Sequence, residues 1–199
     1  MMEYTLKTIL VVIAAYIETT NYVNCDEKIS GVNQNPDGSG SIKFTPPKLD
    51  DEEMNSIYMP DKLKCDGCTI IAYMLNKRFD KAHRSRKSLK YLPETEVLDI
   101  FENVCSDEFK SCGVKEVNGR VRLTGPGLET ENVPGVMQGG GLWPRRLQNM
   151  CNFIVDQMDE YDVYQLYLDK SIPFKDSLCA GSSPLNYCSK NKKNQKTEL

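Results

Sequence analysis

Eight cysteines constrain this 199-residue chain more than any other feature. They stand at positions 25, 65, 68, 105, 112, 151, 179 and 188. In a short chain bound for an oxidising compartment, such a set is a disulfide framework before anything else. Eight cysteines admit far too many complete pairings for counting to choose among them. Helical phase narrows the choice. Across Lys64–Arg84, the residues Cys65, Cys68, Ala72, Leu75 and Phe79 recur at intervals of three and four, which is one face of a helix. The two cysteines of the CxxC therefore lie one turn apart on the core side.

The helical pattern continues. A second helix is expected after Pro93, with Glu94 and Glu96 in its first turn, where negative charge is favoured. Val97 or Leu98, Phe101 and Cys105 line its inner face. A third opens at Trp143-Pro144, with Pro144 at the first helical position and Leu147, Cys151, Ile154 or Val155, and Met158 as its apolar stripe. A fourth covers Tyr161–Asp169, carrying Val163, Leu166 and Tyr167; Ile172 follows and Pro173 stops it. A short helical turn brings Phe174 and Leu178 inward before Cys179.

Between the second and third helices runs a long irregular segment, from about Cys112 to Leu142. Gly125-Pro126-Gly127 reads as a type II turn. Gly139-Gly140-Gly141 reads as a hinge, because no Gly-Lys-Ser/Thr follows to make it a phosphate loop. Val114–Val117 and Arg120–Leu123 could pair across Asn118-Gly119, a hairpin signal.

The two ends carry addresses. Ile9–Ile17 is an apolar run preceded by Lys7, much too short to span a bilayer, and reads as the core of a signal peptide. Lys196-Thr197-Glu198-Leu199 resembles a KDEL-type retrieval signal, read by a receptor. Together they imply a resident of the endoplasmic reticulum (ER) lumen. The expected organisation is a signal peptide over 1–24, a flexible lead over 25–60, a helical domain over 61–188 and a loose tail over 189–199.

A net charge of −3 does not suggest a polyanionic partner, and the basic stretch Lys81–Lys90 suits the carbonyl end of the first helix. No nucleic-acid partner, membrane span, metal or cofactor is expected. Cys65-x-x-Cys68 resembles half a zinc site, but Cys179 and Cys188 have the wrong spacing for the other half. The only histidine, His83, reads as a solvated helix-end residue. Asp156, Asp159, Glu160 and Asp162 read as a solvated face, and Asp50–Glu53 as a solubilising lead or a partner-docking segment. Trp143 reads as the anchor of the returning loop in the core.

Cys105 and Cys151 each sit on an inner helical face, and pairing them closes a helical hairpin. If the C-terminal segment runs antiparallel to the first helix, nested order pairs Cys65 with Cys188 and Cys68 with Cys179. Two bridges joining the chain's ends and one across the middle is the saposin arrangement, so the expected fold class is all-α and disulfide-braced. Cys25 and Cys112 remain. An intramolecular Cys25–Cys112 bridge is open to them, and Cys112 is expected in a polar, flexible setting.

Several longer motifs carry a resemblance. They are Leu49-Asp50-Asp51-Glu52-Glu53-Met54, Met59-Pro60, Cys65-Asp66-x-Cys68, Arg122-Leu123-Thr124-Gly125-Pro126-Gly127-Leu128 and Gly139-Gly140-x-x-Trp143-Pro144-x-Arg146-Leu147. The stretch from about Pro47 to Cys188 resembles the marginal-zone B-cell-specific family of resident ER proteins, related to the canopy family. The resemblance implies a saposin-like helical fold. It also implies a co-chaperone role with endoplasmin, in immunoglobulin assembly and secretion and in integrin maturation. A weak thiol oxidoreductase activity at the CxxC is implied as well. Cys25, Cys112 and the Lys-Thr-Glu-Leu ending depart from the family pattern.

Three functions therefore compete. A client-binding co-chaperone needs no turnover. A thiol-disulfide oxidoreductase would use Cys65 and Cys68 as catalytic residues, activated at a helix start. It needs at least one of them free or exchangeable, whereas long-range bridges would lock both. Lipid binding rests on fold analogy alone.

Overall fold

The computed structural model describes residues 45–180 and 185–188, together with the backbone of 32–34 and 40–42. By itself stands a short antiparallel ladder, β1 (Val32–Gln34) with β2 (Gly40–Ile42), in which Val32 pairs with Ile42. The rest begins with α1 (Asp51–Asn55) and a 3-10 turn at Asp61–Leu63. Four longer helices follow: α2 (Lys64–Ser85), α3 (Glu94–Asp107), α4 (Leu142–Met158) and α5 (Glu160–Leu168). The short α6 (Phe174–Cys179) closes the series.

The apolar spacing explains the packing. Helix α2 is central and packs against α3, α4 and α6, while α5 lies across α3, α4 and α6. Cys68, Ile71, Ala72, Leu75 and Phe79 are buried along one face of α2. On α3 the inner residue is Val97, with Leu98 exposed; on α4 it is Ile154, with Val155 only half-buried. Phe79 sits at the centre of an aromatic cluster with Phe101, Tyr164, Tyr167 and Phe174, at centroid distances of 4.9 to 6.5 Å. Such pairs add to the area term.

The expectation of an all-α chain needs correction. The segment between α3 and α4 holds an antiparallel three-stranded sheet, ordered β4-β3-β5. Strands β3 (Gly113–Val117) and β4 (Arg120–Thr124) form a hairpin with Val117 opposite Arg120, and β5 (Gln138–Gly139) pairs with the start of β3. Asn118 and Gly119 both take positive φ (51° and 73°), as a two-residue type I′ connection demands. The hairpin is seated by a cross-strand pair: Val114 and Leu123 lie opposite each other and both are buried.

Other sequence readings are also corrected. Asp50–Glu53 is no loose acidic lead. Asp50 accepts from the Glu53 amide and Glu53 accepts from the Asp50 amide, both at 2.8 Å, a complete capping box on α1. Lys62 clamps both carboxylates, at 2.6 and 3.0 Å. His83 is half-buried, with Nε2 2.9 Å from the Tyr164 hydroxyl, rather than solvated. The charge on the helix outside told nothing of that contact. Asp159 is the N-cap of α5, accepting from the Tyr161 amide. Pro144 lies two residues inside α4, still within the first turn where its missing N–H costs nothing.

Candidate functional site

All four residues of Cys65-Asp66-Gly67-Cys68 are committed to tertiary contacts. The 3-10 turn at Asp61–Leu63 feeds directly into α2, so the motif occupies its first turns. In the structure Cys65 is bonded to Cys188 and Cys68 to Cys179. Cys105 is bonded to Cys151, joining α3 to α4. The two CxxC sulfurs are thus in different bridges, not with each other. Cys68 and Cys179 are buried, whereas Cys65 and Cys188 are half-buried. The Cys188 amide also donates to the Cys179 carbonyl at 2.8 Å, drawing the last described residues back onto the end of α6.

The middle pair is equally engaged. The buried carboxylate of Asp66 receives a bidentate pair from Arg122, at 2.7 and 2.8 Å, and the Leu123 amide at 3.2 Å. Arg122 reaches Glu129 as well, at 3.3 Å. These contacts raise the Arg122 guanidinium further above its ordinary range, chiefly through the Asp66 bond. Gly67 faces α4. A Cβ there would lie 2.9 Å from Met150 Sδ, so the Met150 side chain occupies space that glycine leaves open. The motif therefore joins α2 to the C-terminal segment, to the β-hairpin and to α4.

The neighbouring loops are held with the same economy. Gly125-Pro126-Gly127-Leu128 is a closed turn: the Leu128 amide donates to the Gly125 carbonyl at 3.2 Å, with Gly127 at φ 85°. A Cβ on Gly127 would strike the Tyr73 ring, so the turn lies flat on α2. Lys115 is buried and donates to the Val133 carbonyl at 2.8 Å, and burial lowers its pKa. Arg146 is fully buried. It donates to the carbonyls of Ser56, Glu53 and Glu52 at 2.7, 2.9 and 3.2 Å, completing the end of α1. Its guanidinium lies 4.2 Å from the ring of buried Trp143. Thus α1, inside the span 25–60 read as a lead, is tied to α4.

Cys112 differs from its expected setting. It is fully buried rather than in a polar, flexible context, because the hairpin and the Gly125 turn fold over it. A Cβ on Gly125 would lie 2.7 Å from its sulfur. Burial pushes the thiol up to about 11, so it is protonated and unreactive at neutral pH. Cys25, the partner open to it, lies outside the described residues, as do the signal run and Lys196–Leu199. Among the described residues no group of His, Cys, Asp and Glu side chains is arranged to hold a metal ion, and no helix is long and apolar enough to cross a membrane.

Sequence reasoning missed Asp66, Gly67, Arg122 and Arg146 as structural partners. The signal was present only as position: a charged and a small residue inside a CxxC on a core-facing helix turn.

A comparison with known proteins fixes the relationship. The mouse marginal zone B- and B1-cell-specific protein is 36% identical over 149 residues, spanning 71% of this chain and 79% of the relative. The human protein of the same name is 36% identical over 177 residues, spanning 82% and 91%. The chain belongs to the marginal zone B- and B1-cell-specific protein family. The cattle member of the family is 33% identical over 174 residues. No protein-family model matches the chain.

Proposed function

We propose that this protein is a resident of the ER lumen that binds folding client proteins without catalysing thiol exchange. On this reading it assists a larger chaperone of the endoplasmin type during client assembly and secretion, the clients being of immunoglobulin or integrin type by family resemblance. The observation that carries the reading is the division of the CxxC between two long-range bridges, Cys65–Cys188 and Cys68–Cys179. A dithiol catalyst cycles its two cysteines between a mutual disulfide and free thiols. Here each sulfur has a partner more than 100 residues away. The motif serves as a brace, with Asp66 and Gly67 recruited to the same end.

The test is non-reducing peptide mapping of protein isolated from the lumen, with a dithiol-exchange assay on the same sample. The expected result is the two long-range bridges with exchange at background. A dominant Cys65–Cys68 bridge with measurable turnover would overturn the reading. Residence is tested separately by deleting Lys196–Leu199, which should send the chain into the medium.

A further inference from the structure

Beside the CxxC brace, the structure holds an apolar groove of about 380 Å³. It runs between the segment after α1, the start of α2, the outer face of α4 and Tyr187. Its walls are Tyr58, Met59, Phe153 and Tyr187, with Met150 below. Tyr58 is 68% exposed and Phe153 48%, with Ile57 beside them at 45%. Aromatic side chains standing open around a concave floor are what distinguishes a contact surface from scattered surface apolars.

The polar groups give the groove a sign. Lys64 is already bound to Asp61 at 2.6 Å, with its Nζ 5.9 Å from the Tyr187 ring centroid. Asp156 lines the groove and has no ion pair or hydrogen bond among the described residues. The groove therefore offers apolar walls and one uncommitted carboxylate.

We infer that this groove binds a peptide segment of another protein that carries an aromatic or long aliphatic anchor followed by a basic side chain. The anchor fills the space between Tyr58 and Phe153, and the cation meets Asp156. Asn152 also lines the groove and supplies an exposed amide to the peptide backbone. An anchor with an acidic neighbour is disfavoured by repulsion from Asp156. The inference rests on the client-binding reading and gives it a place and a ligand class.

The test uses the full mature chain and two fluorescein-labelled dodecapeptides, read by fluorescence polarisation. Both carry a central Leu-Phe; one continues with Lys-Lys and the other with Glu-Glu. The Lys peptide should bind at least roughly tenfold more tightly, a difference typical of a well-placed charge pair. Phe153→Ser should weaken it about tenfold with an unchanged melting point, since the side chain is an exposed anchor. Asp156→Lys should reverse the order of the two peptides. An unchanged order in Asp156→Lys, or undiminished binding in Phe153→Ser, overturns the inference.

Two other occupants would also overturn it. If deleting residues 189–199 raises peptide affinity tenfold, the chain's own lysine-rich tail fills the groove. If sedimentation shows a dimer that Phe153→Ser dissolves, a second copy does. Client secretion is scored separately. Unaltered secretion in variants that have lost peptide binding overturns the groove's assignment and spares the chaperone reading. Loss of client assistance with peptide selection intact spares the groove and retires the chaperone reading.

Discussion

Two pairs of elements in the helical body are braced differently. At the CxxC end, two bridges hold α2 to the C-terminal segment, with sequence separations of 123 and 111 residues. Between α3 and α4 there is a single bridge, across 46 residues. In the chain-entropy account, the first bridge across a loop of more than 100 residues stabilises by about 5 kcal/mol. The two separations differ by only 12, so the second bridge closes a short extra loop and adds about 3 kcal/mol. The lone bridge is worth about 4 kcal/mol by the same account. The doubled end is thus redundant against single losses and decisive when both bridges go. A CxxC on a core-facing helix gives a brace of that kind, because one turn of helix presents two sulfurs to one returning segment.

The largest expected effect tests that redundancy. Replacing all four of Cys65, Cys68, Cys179 and Cys188 with serine should cost roughly 8 kcal/mol. That lies within the whole stability of a typical domain, so the chain should be largely unfolded by circular dichroism. A cooperative, native-like melt in the quadruple variant would break the comparison.

Next comes the single staple. Cys105→Ser with Cys151→Ser should cost about 4 kcal/mol by chemical denaturation. Losing Cys65–Cys188 alone, by Cys65→Ser with Cys188→Ser, should cost less, about 3 kcal/mol, and leave client binding in place. The order of these two double variants is the sharpest form of the comparison. If removing the half-buried outer bridge costs more than removing the α3–α4 bridge, the two bridges at the CxxC end are not redundant.

A smaller effect concerns the residues inside the motif. Asp66→Asn keeps the side chain's shape but removes the charge that Arg122 grips at 2.7 and 2.8 Å. Hydrogen bonds to charged groups are worth about 1.5–3 kcal/mol, so a loss of about 2 kcal/mol is expected. The hairpin should loosen first. Amide exchange should quicken at Leu123, whose N–H donates to Asp66, before it quickens in α3.

How much of this was legible in the sequence depends on the range of the interaction. The inner faces of α2, α3 and α4 follow from spacing, because a helix repeats its own environment every three to four residues. The β3–β4 hairpin was readable as a candidate from Asn118-Gly119, but β5 was not. Gln138–Gly139 is a two-residue strand made by its partner β3, with no pattern of its own. Arg146 and Asp66 were invisible for a related reason. Each is buried only because a distant segment, 52–56 or 122–123, supplies its hydrogen bonds. His83 failed the same way: a helix-end position gives no sign that Tyr164 is waiting on α5. Local pattern located the elements, and long-range polar contacts decided what their charged residues do.

The effect smallest at neutral pH lies at Cys112, which belongs to neither brace. This thiol belongs to the sheet side, where strand pairing and the Gly125 turn do the holding. Burial raises its pKa from the ordinary value near 9.0 to about 11. A raised folded pKa contributes stability that is full below about pH 9 and is lost as the pH rises through about 11, because the unfolded chain gives up the proton first. Two outcomes follow. Iodoacetamide at pH 8 should leave Cys112 unmodified in the folded protein and label it fully in denaturant, as judged by mass spectrometry. Wild type should also lose more stability between pH 9 and 11 than Cys112→Ala does, because alanine has no proton to lose. Rapid labelling of native Cys112 at pH 8 would mean that the hairpin opens on the alkylation timescale. The sheet would then be held far more weakly than either disulfide-braced pair of elements.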